Sequence, residues 1–249
     1  MAQNFSDRRD IDFVLHEQLV VTALSDHERF KDFGRKGVDM IITEARKLSL
    51  KEILPTSKIG DTIGCRFDKG AVTIPEEFKA AWKLLVEGEW LGLSDSPEWG
   101  GQGMPETVAM AAREYLINGN ITLMIYAALT HGSARLVEAF GTDQLKRIYL
   151  KKMFTGEWTG TMVLTEPEAG SDLGGITASA VKHDDGTFRI TGNKVFISSG
   201  EHDLVSNIIH FVLARIEGAP PGSRGVSLFL VPKYLVNDDG SLHAASVPM

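Results

Sequence analysis

The hydrophobic period of this chain changes once, near residue 156, and that change restricts it to folds in which a helical part precedes a sheet part. Upstream, Phe30, Phe33, Gly37, Ile41, Ile42, Ala45 and Leu48 recur at three- and four-residue spacing, the stripe of an amphipathic helix, and Pro55 reads as its stop. The glycine-dotted run 56–73 reads as a loop or hairpin excursion. Helical spacing resumes at Pro75 with Phe78, Trp82, Leu85 and Val86 on one face and ends near Gly88. After the glycine cluster Gly100, Gly101 and Gly103 come two more helical stretches, 105–118 and 121–139, the second apolar nearly all round and hence central. Gly141 closes it, and Thr142 with Asp143 opens a further helix carrying Leu145, Ile148, Tyr149 and Met153.

Beyond Glu157 the pattern is short β-branched and aromatic runs separated by turn residues: 159–164, 176–182, 187–191, 194–198, 208–216 and 225–231. Asp184-Asp185-Gly186 and Gly192-Asn193 are turn signals of the kind that joins antiparallel neighbours. The fold class is therefore α+β, an all-α N-terminal domain over 1–156 followed by an antiparallel β domain over 157–249, with the boundary at Thr155-Gly156-Glu157.

Composition removes several function classes. At 249 residues and 43% hydrophobic content the chain can bury real cores. Its net charge of −7, with acids and bases interspersed, offers no basic stripe to nucleic acid and no polybasic patch to a membrane. No run reaches the length of a spanning helix, the N-terminus lacks the apolar segment of a signal peptide, and the single Cys65 fits a reducing compartment, so a cytoplasmic protein is expected. Neither His16-Glu17 nor His27-Glu28 has the second histidine of a zinc helix, and no serine lies in a nucleophile elbow, so no metal site is expected and hydrolase chemistry is disfavoured. His131, inside the apolar helix, reads as a core or interface histidine.

The chemistry concentrates in Thr161-Met162-Val163-Leu164-Thr165-Glu166-Pro167-Glu168-Ala169-Gly170-Ser171-Asp172. A strand-like run ends in a hydroxyl, turns at a proline, and enters a small-residue segment in which Gly170 admits a close ligand and successive amides with the Ser171 hydroxyl suit phosphate oxygens. The glycine-bounded segment Lys194-Val195-Phe196-Ile197-Ser198 follows. This pair resembles the flavin-binding signature of the acyl-CoA dehydrogenases, and the likeness extends upstream through Glu98 to Met104 and Phe140 to Gln144. The lead-in from Arg9 to Glu17 is similar to the larger bacterial branch that includes the 3-methylmercaptopropionyl-CoA dehydrogenase type.

The resemblance implies FAD as cofactor and α,β-dehydrogenation of an acyl-CoA thioester, in fatty acid metabolism, with hydride passing to the flavin. It places Thr165 and the Leu164 backbone at the flavin ring, Gly170 and Ser171 at the pyrophosphate, Ser171 also near the acyl-CoA, and Phe196, Ile197 and Ser198 beside the flavin from the second segment. Met162 stands where the family often has tyrosine or phenylalanine. The implied partners are an acyl-CoA, an electron-transfer flavoprotein or other acceptor, and further copies of the chain. The family's C-terminal four-helix domain, which carries the glutamate base in most members, has no counterpart in these residues, so no catalytic residue is nominated and the chain is expected to be inactive alone. Other readings are a non-catalytic flavin or acyl-CoA binding subunit, a structural subunit, and an acyl-CoA oxidase.

Overall fold

The computed structural model describes residues 7–246, with side chains to residue 243. Asp7 caps α1 (Arg8–Asp12), its carboxylate accepting the Arg9 N–H at 2.9 Å, and the helix continues as a π turn through Gln18. Arg8 is shared by Asp12 at 2.6 Å and Asp39 at 3.7 Å, while His16 Nε2 lies 2.7 Å from Asp39, so a mixed-charge cluster ties this segment to α2 (Arg35–Leu48). Of the three groups close enough together to hold a cation, Asp12, His16 and Asp39, the two carboxylates are already paired with the Arg8 guanidinium.

Pro55 does not stop the helix. A π segment, Ser49–Ile53, leads directly into α3 (Leu54–Ile63), and the proline is the second residue of α3, just past the wider π turn in which the Leu54 N–H bonds Ser49 O. The excursion shrinks to the hairpin β1 (Arg66–Asp68) and β2 (Ala71–Thr73), turned by Lys69 and Gly70, both at positive φ. Then follow α4 (Glu76–Glu87), α5 (Glu106–Gly119) and α6 (Ile121–Phe140), the last capped by Asn120 accepting the Leu123 N–H at 3.1 Å. Thr142 caps α7 (Asp143–Leu145), which runs through a π turn into α8 (Lys151–Phe154).

The sheet is mixed, where the turn signals lead one to expect antiparallel pairing alone. Its strands are β3 (Thr159–Val163), β4 (Ser179–Lys182), β5 (Phe188–Thr191), β6 (Ile208–Ile216) and β7 (Val226–Pro232), and a separate pair joins β8 (Tyr234–Val236) to β9 (Leu242–Ser246). β7 covers one edge of β6 from Ile209 to Arg215 in antiparallel register. β3 and β4 therefore share the other edge, end to end and both parallel to β6, with Thr159 to Val163 opposite Ile208 to Val212 and Ser179 opposite Arg215. Turn signals register only the local reversal of β4 into β5, whereas the parallel pairs join residues far apart in the chain. The loop 164–178 is the place where the chain leaves that edge and returns to it.

Two expected strands are also revised. Residues 176–178 precede β4, because the Thr177 and Ala178 N–H groups are taken by the Glu166 carboxylate. Residues 194–198 form no strand: the Val195 N–H bonds Thr165 O at 3.0 Å, and then Phe196 turns into the left-handed region at φ 58°, outside any strand geometry.

The helical and sheet parts share one core. Ala134 and Val137 of α6, Tyr149, Leu150, Met153, Phe154, Trp158, and Ile209 and Phe211 of β6 form a single buried cluster. A Cβ on Gly160 would lie 2.7 Å from Ser133 Cβ, so a bare glycine lets β3 lie directly on α6, and the Gly160 N–H donates to Thr130 Oγ1 at 2.9 Å. Among the described residues no helix is long and apolar enough to cross a membrane.

Candidate functional site

The loop 164–178 is built around a buried carboxylate. Glu166 and Ala169 exchange backbone hydrogen bonds at 2.9 and 3.1 Å, which folds Pro167 and Glu168 into an exposed tip. Glu166 itself is 3% exposed. Its Oε2 accepts the Thr177 N–H and hydroxyl, each at 2.7 Å, and its Oε1 accepts the Ala178 N–H at 3.0 Å and the Lys194 ammonium at 2.8 Å. Burial pushes this carboxyl up, but the Lys194 ammonium and the Thr177 and Ala178 donors outweigh it and hold it down at about 2. A carboxylate this fully bonded is fixed as an anion and has no free lone pair for taking a proton at neutral pH.

Lys194 reaches across to a second acceptor, Leu164 O, at 3.0 Å. With the Val195 N–H on Thr165 O, this brings the segments around 164–165 and 194–198 side by side. Gly170, Ser171 and Ser198 are exposed, Leu164, Thr165 and Ile197 are half-buried, and Phe196 is 91% exposed. Gly170 has ordinary negative φ, and a Cβ on it would meet no atom within 4 Å, so neither backbone strain nor internal packing demands a glycine there. Asp172 accepts the Gly174 N–H at 3.0 Å and caps the short turn Leu173–Gly175 that leads back to the sheet. Met162 is different: it alternates away from Thr161 and Val163 and packs into the core shared with the helices.

Sequence reasoning missed the Glu166–Lys194 pair, and nothing local signals it, since the partners are 28 residues apart. It also missed a polar ladder inside the sheet. Thr159 Oγ1 lies 3.1 Å from His202 Nε2 and Thr161 Oγ1 2.8 Å from His210 Nδ1, on alternate residues of β3. The available clue was Thr159 and Thr161 at alternate positions of β3, with His210 inside the apolar run of β6.

The glycine cluster at 100–103 has an internal reason. A Cβ on Gly101 would fall 2.2 Å from Asp95 O, and the Gln102 and Met104 N–H groups bond Gly92 O and Leu93 O at 2.9 Å, closing a tight loop over Asp95. Asp95 is 1% exposed, and neither carboxylate oxygen accepts a hydrogen bond; His131 Nδ1 stands 3.3 Å from one of them and Arg135 3.9 Å from the other. Burial pushes this carboxyl up to about 6, against the pull of Arg113 and Arg135. Above pH 6 the folded state carries the full cost of an unbonded buried anion. Asp95→Asn should therefore stabilise the chain by about 1–3 kcal/mol at pH 8, with the gain fading as pH falls from 6 toward 4. Urea unfolding at the two ends of that range checks it, and a loss of stability at pH 8 would mean that the charge is internally compensated.

Both parts of the chain are similar to known proteins. Residues 37–157 match the model of the acyl-CoA dehydrogenase N-terminal domain and residues 161–243 that of the acyl-CoA dehydrogenase middle domain. The chain is 47% identical over 188 residues to the 3-methylmercaptopropionyl-CoA dehydrogenase of Ruegeria pomeroyi, covering 76% of this chain and 32% of that one. It is 36% identical over 238 residues to a butyryl-CoA dehydrogenase of Syntrophomonas wolfei, covering 94% and 39%. It thus spans 32–39% of the length of these relatives. A solved acyl-CoA dehydrogenase from Bacillus anthracis, complexed with FAD, superposes with TM-score 0.64 at 25% identity, covering 82% of this chain and 32% of that one. With both domain models matched in order and the mixed sheet stacked on the helical layer, the chain belongs to the acyl-CoA dehydrogenase family.

Proposed function

We propose that this chain carries the flavin-contact wall of an acyl-CoA dehydrogenase, with 1–156 as its helical unit and 157–249 as its sheet unit. The observation that supports this reading is the junction of 164–165 with 194–198 beside a bare, unobstructed Gly170. FAD, when bound, supplies a two-electron acceptor for the hydride that leaves the β-carbon of an acyl-CoA as its α-proton is removed. On this reading Thr165 and the Leu164 backbone meet the ring edge, with Ile197, Ser198 and the exposed Phe196 on its other side. Gly170 allows the pyrophosphate to approach the backbone, and Ser171 donates its hydroxyl to it and lies toward the acyl-CoA. Met162 contributes from the core side, where it holds β3 against the helices. Glu166 serves the scaffold, and no residue of the chain is assigned as the base.

The partners on this reading are an acyl-CoA, an electron-transfer flavoprotein or other acceptor, and further copies of the chain, in the cytoplasm. Titrating the chain into FAD and following flavin absorption and fluorescence tests it. A saturable perturbation is expected, with affinity lowered at least about tenfold by Gly170→Leu and by a smaller factor for Thr165→Ala or Ser171→Ala, as loss of one hydrogen bond implies. No saturable change with the unmodified chain would overturn the reading.

A further inference from the structure

Lys194 has two short contacts, and they point to different jobs. The one to Glu166 at 2.8 Å neutralises a buried anion. The one to Leu164 O at 3.0 Å does not, because a backbone carbonyl needs only an ordinary donor. The Lys194 side chain is 11% exposed and that of Glu166 2%, so the ammonium acts with little water to screen it. The Leu164–Thr165 peptide is trans, so its N–H points opposite to its C=O. A cation bonded to the carbonyl draws electron density along that amide and makes the Thr165 N–H a stronger donor. The same cation precedes Val195, whose N–H fixes the second segment to Thr165 O.

We propose that Lys194, held by Glu166, is a positioning residue that sets the spacing between the 164–165 and 194–198 segments and polarises the Leu164–Thr165 peptide toward the hydrogen-bond acceptor atoms of a flavin ring bound there. The inference rests on the flavin-contact reading above and adds to it two residues that need not touch the flavin. Glu166 is the anchor, because its other bonds, to Thr177 and Ala178, tie the ammonium to the start of β4 and hence to the sheet.

Four proteins separate positioning from mere stability: the unmodified chain, Lys194→Met, Lys194→Arg, and the double variant Glu166→Gln with Lys194→Met. Each is titrated with FAD alone, reading dissociation constant, the shape of the bound flavin absorption band, and the flavin reduction potential, with circular dichroism to confirm the fold. Lys194→Met should weaken FAD binding about tenfold, the worth of a charge-assisted hydrogen bond, and shift the band and potential toward those of free FAD. Lys194→Arg should recover most of the affinity and the band. The double variant leaves no lone buried charge, keeps side-chain shape and gives up only the acceptor facing the Ala178 N–H, so it should keep the fold at some cost in stability, yet it should still lack the shifted band and potential. Unmodified affinity and spectrum in the double variant would overturn the inference and leave Lys194 as a structural partner only. Lys194 is likewise reduced to a structural partner if the unmodified chain binds FAD and Lys194→Met binds it equally well. If the unmodified chain itself binds no FAD, the flavin reading falls, and this inference falls with it.

Discussion

Trp158→Ala should destabilise the chain by about 3–5 kcal/mol, the range for removing a large aromatic from a tight core. Trp158 is 1% exposed and lies between α8 and β3, in the cluster formed by residues of α6, 146–154 and β6. Its N–H bonds Lys152 O at 3.0 Å, its ring tilts against Tyr149 with centroids 5.8 Å apart, and the Lys152 ammonium sits 4.7 Å over its face. The turn before it is equally fixed. Trp82 Nε1 donates to Gly156 O at 3.1 Å, and Gly156, at φ 80°, has Leu91 Cδ1 only 2.1 Å from where a Cβ would be. A void there is lined from both layers, and neither can collapse into it without moving the other. Urea unfolding followed by near- and far-ultraviolet circular dichroism checks this, with the two signals lost together. Phe140→Ala, at a residue 83% exposed, should change stability by less than about 0.5 kcal/mol. A loss below about 1 kcal/mol for Trp158→Ala would mean that the helical and sheet layers do not depend on a common core.

What the sequence made legible is what local chemistry decides. The stripe of α4, the all-round apolarity of α6, the Thr142 cap and the bounds 208–216 of β6 all follow from side-chain period and capping within a few residues. Pro55 reads as a stop because a proline that ends one helix and one that begins another look alike when no polar cap lies between them. Parallel pairing of β3 and β4 with β6 was out of reach for a different reason. It joins Thr159 to Ile208 and Ser179 to Arg215, and hairpin signals say nothing of such distant partners. At the proposed site, motif spacing singled out 164–165, 170–171 and 196–198, but not the ion pair that joins the segments at 164–165 and 194–195, since burial of Glu166 depends on Lys194, 28 residues on, and on the Thr177 and Ala178 amides at the far end of its own loop. Nor could spacing reveal that Phe196, in a run with every mark of a strand, leaves the extended region.

Acid should unfold this chain well before its carboxylates are neutralised, because three histidines, the buried His202 and His210 and the half-buried His131, fold as neutral imidazoles. His202 Nδ1 accepts the Leu204 N–H at 3.2 Å, so its proton is on Nε2, facing Thr159 Oγ1. A second proton would have to displace the Leu204 bond. His210 Nδ1 pairs with Thr161 Oγ1, and its Nε2 is buried with no partner, so a proton added there would find no acceptor. His131 is lodged against Phe154 with ring centroids 6.3 Å apart. Burial holds each imidazole down at about 4 against an ordinary 6.5, helped by Lys233 at His202 and His210 and by Arg113 and Arg135 at His131, with Asp203 opposing at His202 and Glu106 at His131. The unfolded chain therefore binds protons at these sites that the folded chain refuses, and stability is lost as pH falls from about 6.5 to about 4. Asp95 acts in the opposite sense, since its carboxyl at about 6 binds a proton in the folded state that the unfolded chain, at 3.8, does not. Asp95 and His131, 3.3 Å apart, titrate as a pair whose proton uptake and release on unfolding offset one another, so the net uptake of about two comes from His202 and His210 and gives a steepest slope of about 2–3 kcal/mol per pH unit near pH 5. Below 4.5 the Glu166 carboxylate, at about 2 when folded, extends the decline. Urea midpoints between pH 7.5 and 4.5 give the slope directly, and His210→Gln should reduce it by about 1.4 kcal/mol per pH unit, one proton's worth. A flat profile would show that the imidazoles protonate in place, and that the ladder of Thr159 and Thr161 can accept charge the present geometry gives no partner for.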